Sequence, residues 1–121
     1  MLHDSKAFSG FSVDDIEKAK AFYADTLGVG VGEENGMLRL KIAGGTPILV
    51  YPKPNHVPAE YTALNFPVTD IEATARELAG RGVTFEHYNN EQDETGIYRG
   101  QGPLIAWFKD PAGNVLSIIQ E

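Results

Sequence analysis

The stretch VDDIEKAKAF begins at Val13 and VTDIEATARE begins at Val68, so the chain states one pattern twice. Each copy follows a short alternating apolar run, FSGFSV in the first and TALNFPV in the second. Asp15 and Asp70 stand where a helix cap accepts hydrogen bonds from the first free backbone N–H groups, and Glu17 and Glu72 suit the positive end of the helix dipole. Ile16, Ala19, Phe22, Tyr23 and Leu27 share one face of a first helix that Gly28 ends. Ile71, Ala75 and Leu78 repeat the stripe in a second, with Gly80 and Gly82 as stop signals. Two copies restrict the chain to a paired-module fold, since a solenoid or propeller needs at least about three repeats.

Strands are expected after each helix. VGVGEE and MLRLKI flank Asn35-Gly36, a hairpin turn that needs positive φ, and TPILVYP follows Gly44-Gly45. In the second copy VTFEHY precedes a long polar loop at 89–102, followed by LIAWFKD, the turn DPAGN, and NVLSIIQ. Each half reads β-α-β-β-β, module one at about 6–52 and module two at about 61–120. The proline-rich segment PKPNHVPAE, at about 53–60, links them. The whole, 1–121, is expected to be one domain of the α+β class.

Charge and composition narrow the function. Seventeen acidic against ten basic residues, a net charge of −7, oppose a phosphate backbone, so nucleic acid is not an expected partner. No run approaches the roughly 20 apolar residues of a membrane span, and no secretory leader is readable, so a soluble, cytoplasmic protein is expected. Cysteine is absent, which removes disulfides, thiolate metal sites and cysteine nucleophiles.

The doubled module, the V-x-D-I-E helix openings, FYADTLG at the end of the first helix and WFKDPAGNVLSIIQ at the C-terminus together resemble the vicinal oxygen chelate superfamily. That superfamily includes glyoxalase I, extradiol dioxygenases and bleomycin-resistance proteins. The resemblance implies two modules whose sheets form an open, cupped barrel of mixed strands with helices outside, a ligand in the concave face, and a homodimer. It also implies four metal-ligand positions, which correspond here to Phe8, Leu49, Ala63 and Ser117. Three of these side chains have no lone pair, and a neutral hydroxyl is a poor substitute for carboxylate or imidazole. No metal and no cofactor are therefore expected. The three histidines give no recognised ligand spacing: His3 lies near the terminus, His56 in the linker, and His87 beside Glu86 on a strand where neighbours face opposite ways.

Strand alternation then selects the cup lining. The parity of the metal positions points Phe8, Gly10 and Ser12 inward, with Leu49 and Tyr51, Ala63 and Asn65, and Val115, Ser117 and Ile119. Arg39 lies opposite the apolar side of its strand. Pairing Asp110 with Gly113 would place Phe108 opposite Val115 in the cup and turn Trp107 toward the helices. The expected ligand-binding set is Phe8, Arg39, Leu49, Tyr51, Ala63, Asn65, Tyr98, Phe108 and Ser117, the Tyr98 loop acting as a lid. Phe8, Leu49 and Phe108 could equally fill the barrel as core. The function expected is metal-free binding of an organic small molecule in an apolar, aromatic cup. Two alternatives stay open: a glyoxalase-like enzyme with non-standard residues such as Glu94, His56 or Arg39, and a structural dimer with a filled core.

Overall fold

A computed structural model describes all residues, 1–121. Two compact units divide the chain, Met1–Val57 and Pro58–Glu121. In the first, β1 (Gly10–Val13) leads to α1 (Ile16–Ala21), and three strands follow: β2 (Gly30–Glu34), β3 (Met37–Lys41) and β4 (Ile48–Pro52). The order is β1-β4-β3-β2, with β1 parallel to β4 and the other pairs antiparallel. The Asp15 carboxylate accepts from the N–H groups of Glu17 and Lys18, as its position predicts. Asn35 and Gly36 both take positive φ, 53° and 76°, closing the β2–β3 hairpin.

The first helix does not run regularly to its end. After Ala21 it widens into a π-helical turn at Phe22–Thr26, where the Leu27 N–H donates to the Phe22 carbonyl at 2.9 Å. Tyr23 is fully buried there, its ring 6.1 Å from Phe11 and 5.2 Å from Phe22. Phe11 therefore shares the helix-facing side of the sheet with Val13, Val50, Leu38 and Leu40, all buried by the period-two alternation.

In the second unit, β5 (Thr62–Pro67), α2 (Ile71–Gly80), β6 (Leu104–Lys109) and β7 (Val115–Gln120) form a sheet of order β5-β7-β6 backed by the helix. Asp70 accepts from the Ala73 N–H, and the Gln120 side chain accepts from the Ile71 N–H at 2.8 Å. That contact assigns the even-numbered side of β7 to the helix. Leu116 and Ile118 are buried on it, as are Ala106 and Phe108 of β6 and Ile71, Ala75 and Leu78 of α2.

Two expectations are corrected in this unit. The stretch VTFEHY makes only a single bridge, Phe85 with Phe108, rather than a full strand. Its later N–H groups turn away: those of Tyr88 and Asn89 donate to the Gln92 side chain, while Tyr98 bridges to Ile105 on the same strand edge. The second correction is one of register. Asp110 pairs with Asn114, not Gly113, so the turn holds three residues, and Gly113 takes φ 87°. The buried Asp110 carboxylate fixes this choice by accepting from the N–H groups of Ala112 and Asn114 and from the Asn114 amide. Phe108 consequently lies opposite Leu116 on the helix side, and Trp107 lies opposite Ser117 on the other. A shift of one residue exchanges the faces of a strand.

Candidate functional site

The face of the second sheet turned away from α2 carries one row across all three strands: Asn65, Ser117 and Trp107. The Ser117 hydroxyl, fully buried, donates to the Asn65 side-chain oxygen at 2.5 Å, while Asn65 is itself exposed. Trp107 is half-buried and flanked by two further rings, Tyr88 at 5.7 Å and Tyr98 at 6.3 Å. The trio meets edge-on or tilted, the arrangement that aromatic quadrupoles favour. Partial burial first, and the Glu86 carboxylate second, raise the Tyr88 hydroxyl above its ordinary value, so it is a neutral phenol near pH 7.

The loop that brings Tyr98 to this face is ordered by its own side chains. Asp93 accepts through one oxygen from the N–H groups of Thr95, Gly96 and Ile97, and through the other from the Arg99 guanidinium at 2.8 Å. Arg99 also donates to Glu72 on α2 at 2.5 Å. Gln92 donates to the carbonyls of Glu86 and Gly96, and Ile97 is buried. Burial alone would push the Asp93 carboxyl up. The hydrogen bonds from Arg99, Ile97 and Thr95 outweigh it and hold the group below its ordinary value.

That depression has a sign. A folded pKa below the unfolded one of about 3.9 gives stability that is fully present above about pH 4 and is lost as pH falls through the folded value. Asp93→Asn should therefore lower stability at neutral pH, with the deficit against the parent shrinking as the solution is acidified. Urea denaturation at pH steps from about 6 down to about 2 measures it. A deficit that is constant with pH would show that the carboxylate charge does not order the loop.

Placement of the sequence-predicted residues is mixed. In the first unit Arg39 and Leu49 are register partners, as are Leu49 and Gly10, and Tyr51 with Ser12, so Arg39, Leu49 and Tyr51 share the face turned away from the buried core. Arg39 also lies 3.9 Å from Glu34. Phe8 precedes β1 and is largely exposed. In the second unit Asn65 and Ser117 are brought together, Ala63 sits at an irregularity of the β5–β7 register, and Tyr98 joins Trp107. Phe108 is on the opposite face, sealed at 0% exposure against Phe85. The sequence reading missed Trp107 and Tyr88, the first through the turn register and the second because no periodicity marks a loop residue.

It missed one long-range polar pair as well. His56 of the linker lies 2.6 Å from the Ser12 hydroxyl through Nδ1, tying the segment after β4 back to β1. No spacing rule could have found two residues this far apart. The donor chemistry at the four metal positions does not fit a divalent cation: Phe8, Leu49 and Ala63 offer no lone pair, and the Ser117 hydroxyl is bonded to Asn65. Nowhere do three or more His, Asp or Glu side chains gather into a ligating group. No helix is long and apolar enough to cross a membrane.

Comparison with known proteins completes the picture. Among solved structures, a glyoxalase family protein from Enterococcus faecalis superposes with TM-score 0.71 at 22% identity, covering 98% of this chain and 99% of that one. A superfamily member from Sphaerobacter thermophilus gives 0.70 at 24%, covering 95% and 97%. Both establish likeness of fold. TnmS3, an antibiotic binding protein from Streptomyces sp., gives 0.68 at 26% identity, covering 94% of each chain. No curated protein matches the sequence. The profile of the Glyoxalase/Bleomycin resistance protein/Dioxygenase superfamily matches residues 8–118, nearly the whole chain, and with the α+β fold of two mixed sheets and two helices it shows that the protein belongs to that superfamily.

Proposed function

We propose that this protein binds an organic small molecule with a planar aromatic portion, held against Trp107 on the face of the second sheet turned away from α2. The observation that carries this reading is the trio of Trp107, Tyr88 and Tyr98, half-buried or exposed, beside a polar pair rather than sealed in the core. Apolar and aromatic surface with a few placed polar groups is the usual chemistry of a ligand site. Superfamily membership and the likeness to an antibiotic binding protein support it. Within the first unit taken by itself, Arg39, Leu49 and Tyr51 share a face of mixed polar and apolar character, with Phe8 just before β1. The donor set at Phe8, Leu49, Ala63 and Ser117 argues against a metal-dependent reaction of the superfamily's kind. We further propose a homodimer.

Trp107 is the only tryptophan, so its emission reports the site directly. Titration with a library of planar aromatic compounds should quench or shift it saturably for some of them, and Tyr98→Ala should weaken those hits. If no compound perturbs Trp107, the binding reading is wrong. Sedimentation should give about twice the chain mass of 13.2 kDa, and a value near one chain would remove the dimer.

A further inference from the structure

The hydrogen bond between Ser117 and Asn65 determines which end of the Asn65 amide is left for a ligand. Ser117 is fully buried, and Asn65 is the hydrogen-bond partner its hydroxyl has. A hydroxyl can donate or accept, whereas each end of an amide can do only one. If the amide nitrogen faced Ser117, the hydroxyl would accept, and its own proton would be buried without an acceptor, which is unfavourable. With the oxygen facing Ser117, the buried proton is satisfied and no buried polar atom is orphaned. The Asn65 NH2 group, on an exposed residue, is then turned away from Ser117 and available.

We propose that Asn65 is a specificity-determining donor that selects ligands carrying a carbonyl or similar acceptor at the edge of an aromatic system stacked on Trp107. This rests on the binding reading above. Adjacent strands lie about 4.8 Å apart, so Asn65 and Trp107, two strands apart in one row, are separated by about 10 Å, the span of a fused two- or three-ring system. Ser117 between them is fully buried, so Asn65 and Trp107 are the members of the row that offer surface. The Trp107 indole N–H is donor-only too, and the Tyr98 hydroxyl already accepts from the Gln101 N–H, leaving its proton to give. Asn65, Trp107 and Tyr98 thus each have a proton to give to an acceptor on the ligand's edge.

The test compares fluorenone with fluorene, planar molecules of nearly equal shape that differ by one carbonyl oxygen, against the parent and Asn65→Asp. The variant keeps an oxygen for Ser117 and replaces the NH2 donor by a carboxylate oxygen, an acceptor that carries one negative charge. For the parent, fluorenone should bind about threefold to tenfold more tightly than fluorene, the worth of one hydrogen bond. In Asn65→Asp that preference should vanish or reverse with fluorene still binding, a change of ratio that a general loss of structure would not produce. Equal affinity of the parent for both compounds, or a ketone preference that survives in Asn65→Asp, overturns the donor role and leaves the binding reading standing. If neither compound perturbs Trp107, the donor role falls, and the binding reading is decided by the wider compound library.

Discussion

Truncating Phe108 to alanine should destabilise the protein by about 3–5 kcal/mol, whereas truncating Trp107 should cost less stability and strongly weaken binding of aromatic ligands. The two residues are sequence neighbours with similar ring chemistry, so the contrast comes entirely from the face each occupies. Phe108 is fully buried, edge-on to Phe85 at 5.8 Å and among Leu116, Ile118 and Ala106. Removing its ring deletes the packing and leaves a cavity that the sheet and helix relax into only partly. Against a total stability of about 5–15 kcal/mol, that is a large share. Trp107 is half-buried, and its loss should reduce affinity at least about thirtyfold, the effect of an aromatic anchor worth about 2 kcal/mol. Urea midpoints and ligand titrations on both variants give the comparison, with Phe108→Leu as a milder substitute if the alanine protein does not fold. The reverse ordering, a stability loss at Trp107 and a binding loss at Phe108, would restore the two-residue turn and refute the register.

Gly96→Ala should cost about 2–4 kcal/mol, more than Gly102→Ala, although both glycines have similar left-handed φ. Gly96 has φ 104°, and a Cβ there would lie 2.9 Å from the Phe85 Cβ. Backbone strain of about 1–3 kcal/mol adds to an overpacked contact against a residue that itself is buried on Phe108. Gly102, at φ 88°, has open space around its missing side chain, so its substitution carries the strain alone, about 1–2 kcal/mol. Because Gly96 abuts Phe85 and accepts from Gln92, displacing it should also shift Tyr98 and weaken ligand binding. Thermal denaturation of the two variants measures the difference. Equal losses would mean that the loop can move away from Phe85 without cost.

The features legible in the sequence were those set by neighbours in the chain. Asp15 and Asp70 cap because a carboxylate at that position reaches N–H groups two or three residues on, and Asn35-Gly36 turns because both residues accept positive φ. Alternation told which residues of β3 and β4 share a face, and the structure places Arg39, Leu49 and Tyr51 accordingly. The repeated helix openings and the C-terminal motif were enough to identify the superfamily.

Tertiary structure decided what depends on partners distant in sequence or on a choice between near-equal local options. DPAGN is compatible with a hairpin of two residues or of three, and only the Asp110 carboxylate, bonded to Ala112 and Asn114, selects the longer turn. With a side-chain period of two, that single-residue difference moves Trp107 to the face turned away from α2 and Phe108 into the core. The VTFEHY segment had strand composition, but only its Glu86 N–H reaches β6, at the Trp107 carbonyl, while the Tyr88 N–H and the Glu86 carbonyl bond the Gln92 side chain, and the edge of β6 was shared with the loop at Tyr98. The pairs Ser12 with His56 and Ser117 with Asn65 join residues far apart along the chain. Such contacts arise because a buried polar group must find whichever partner the fold brings near it, and sequence carries no local signal of which one that is.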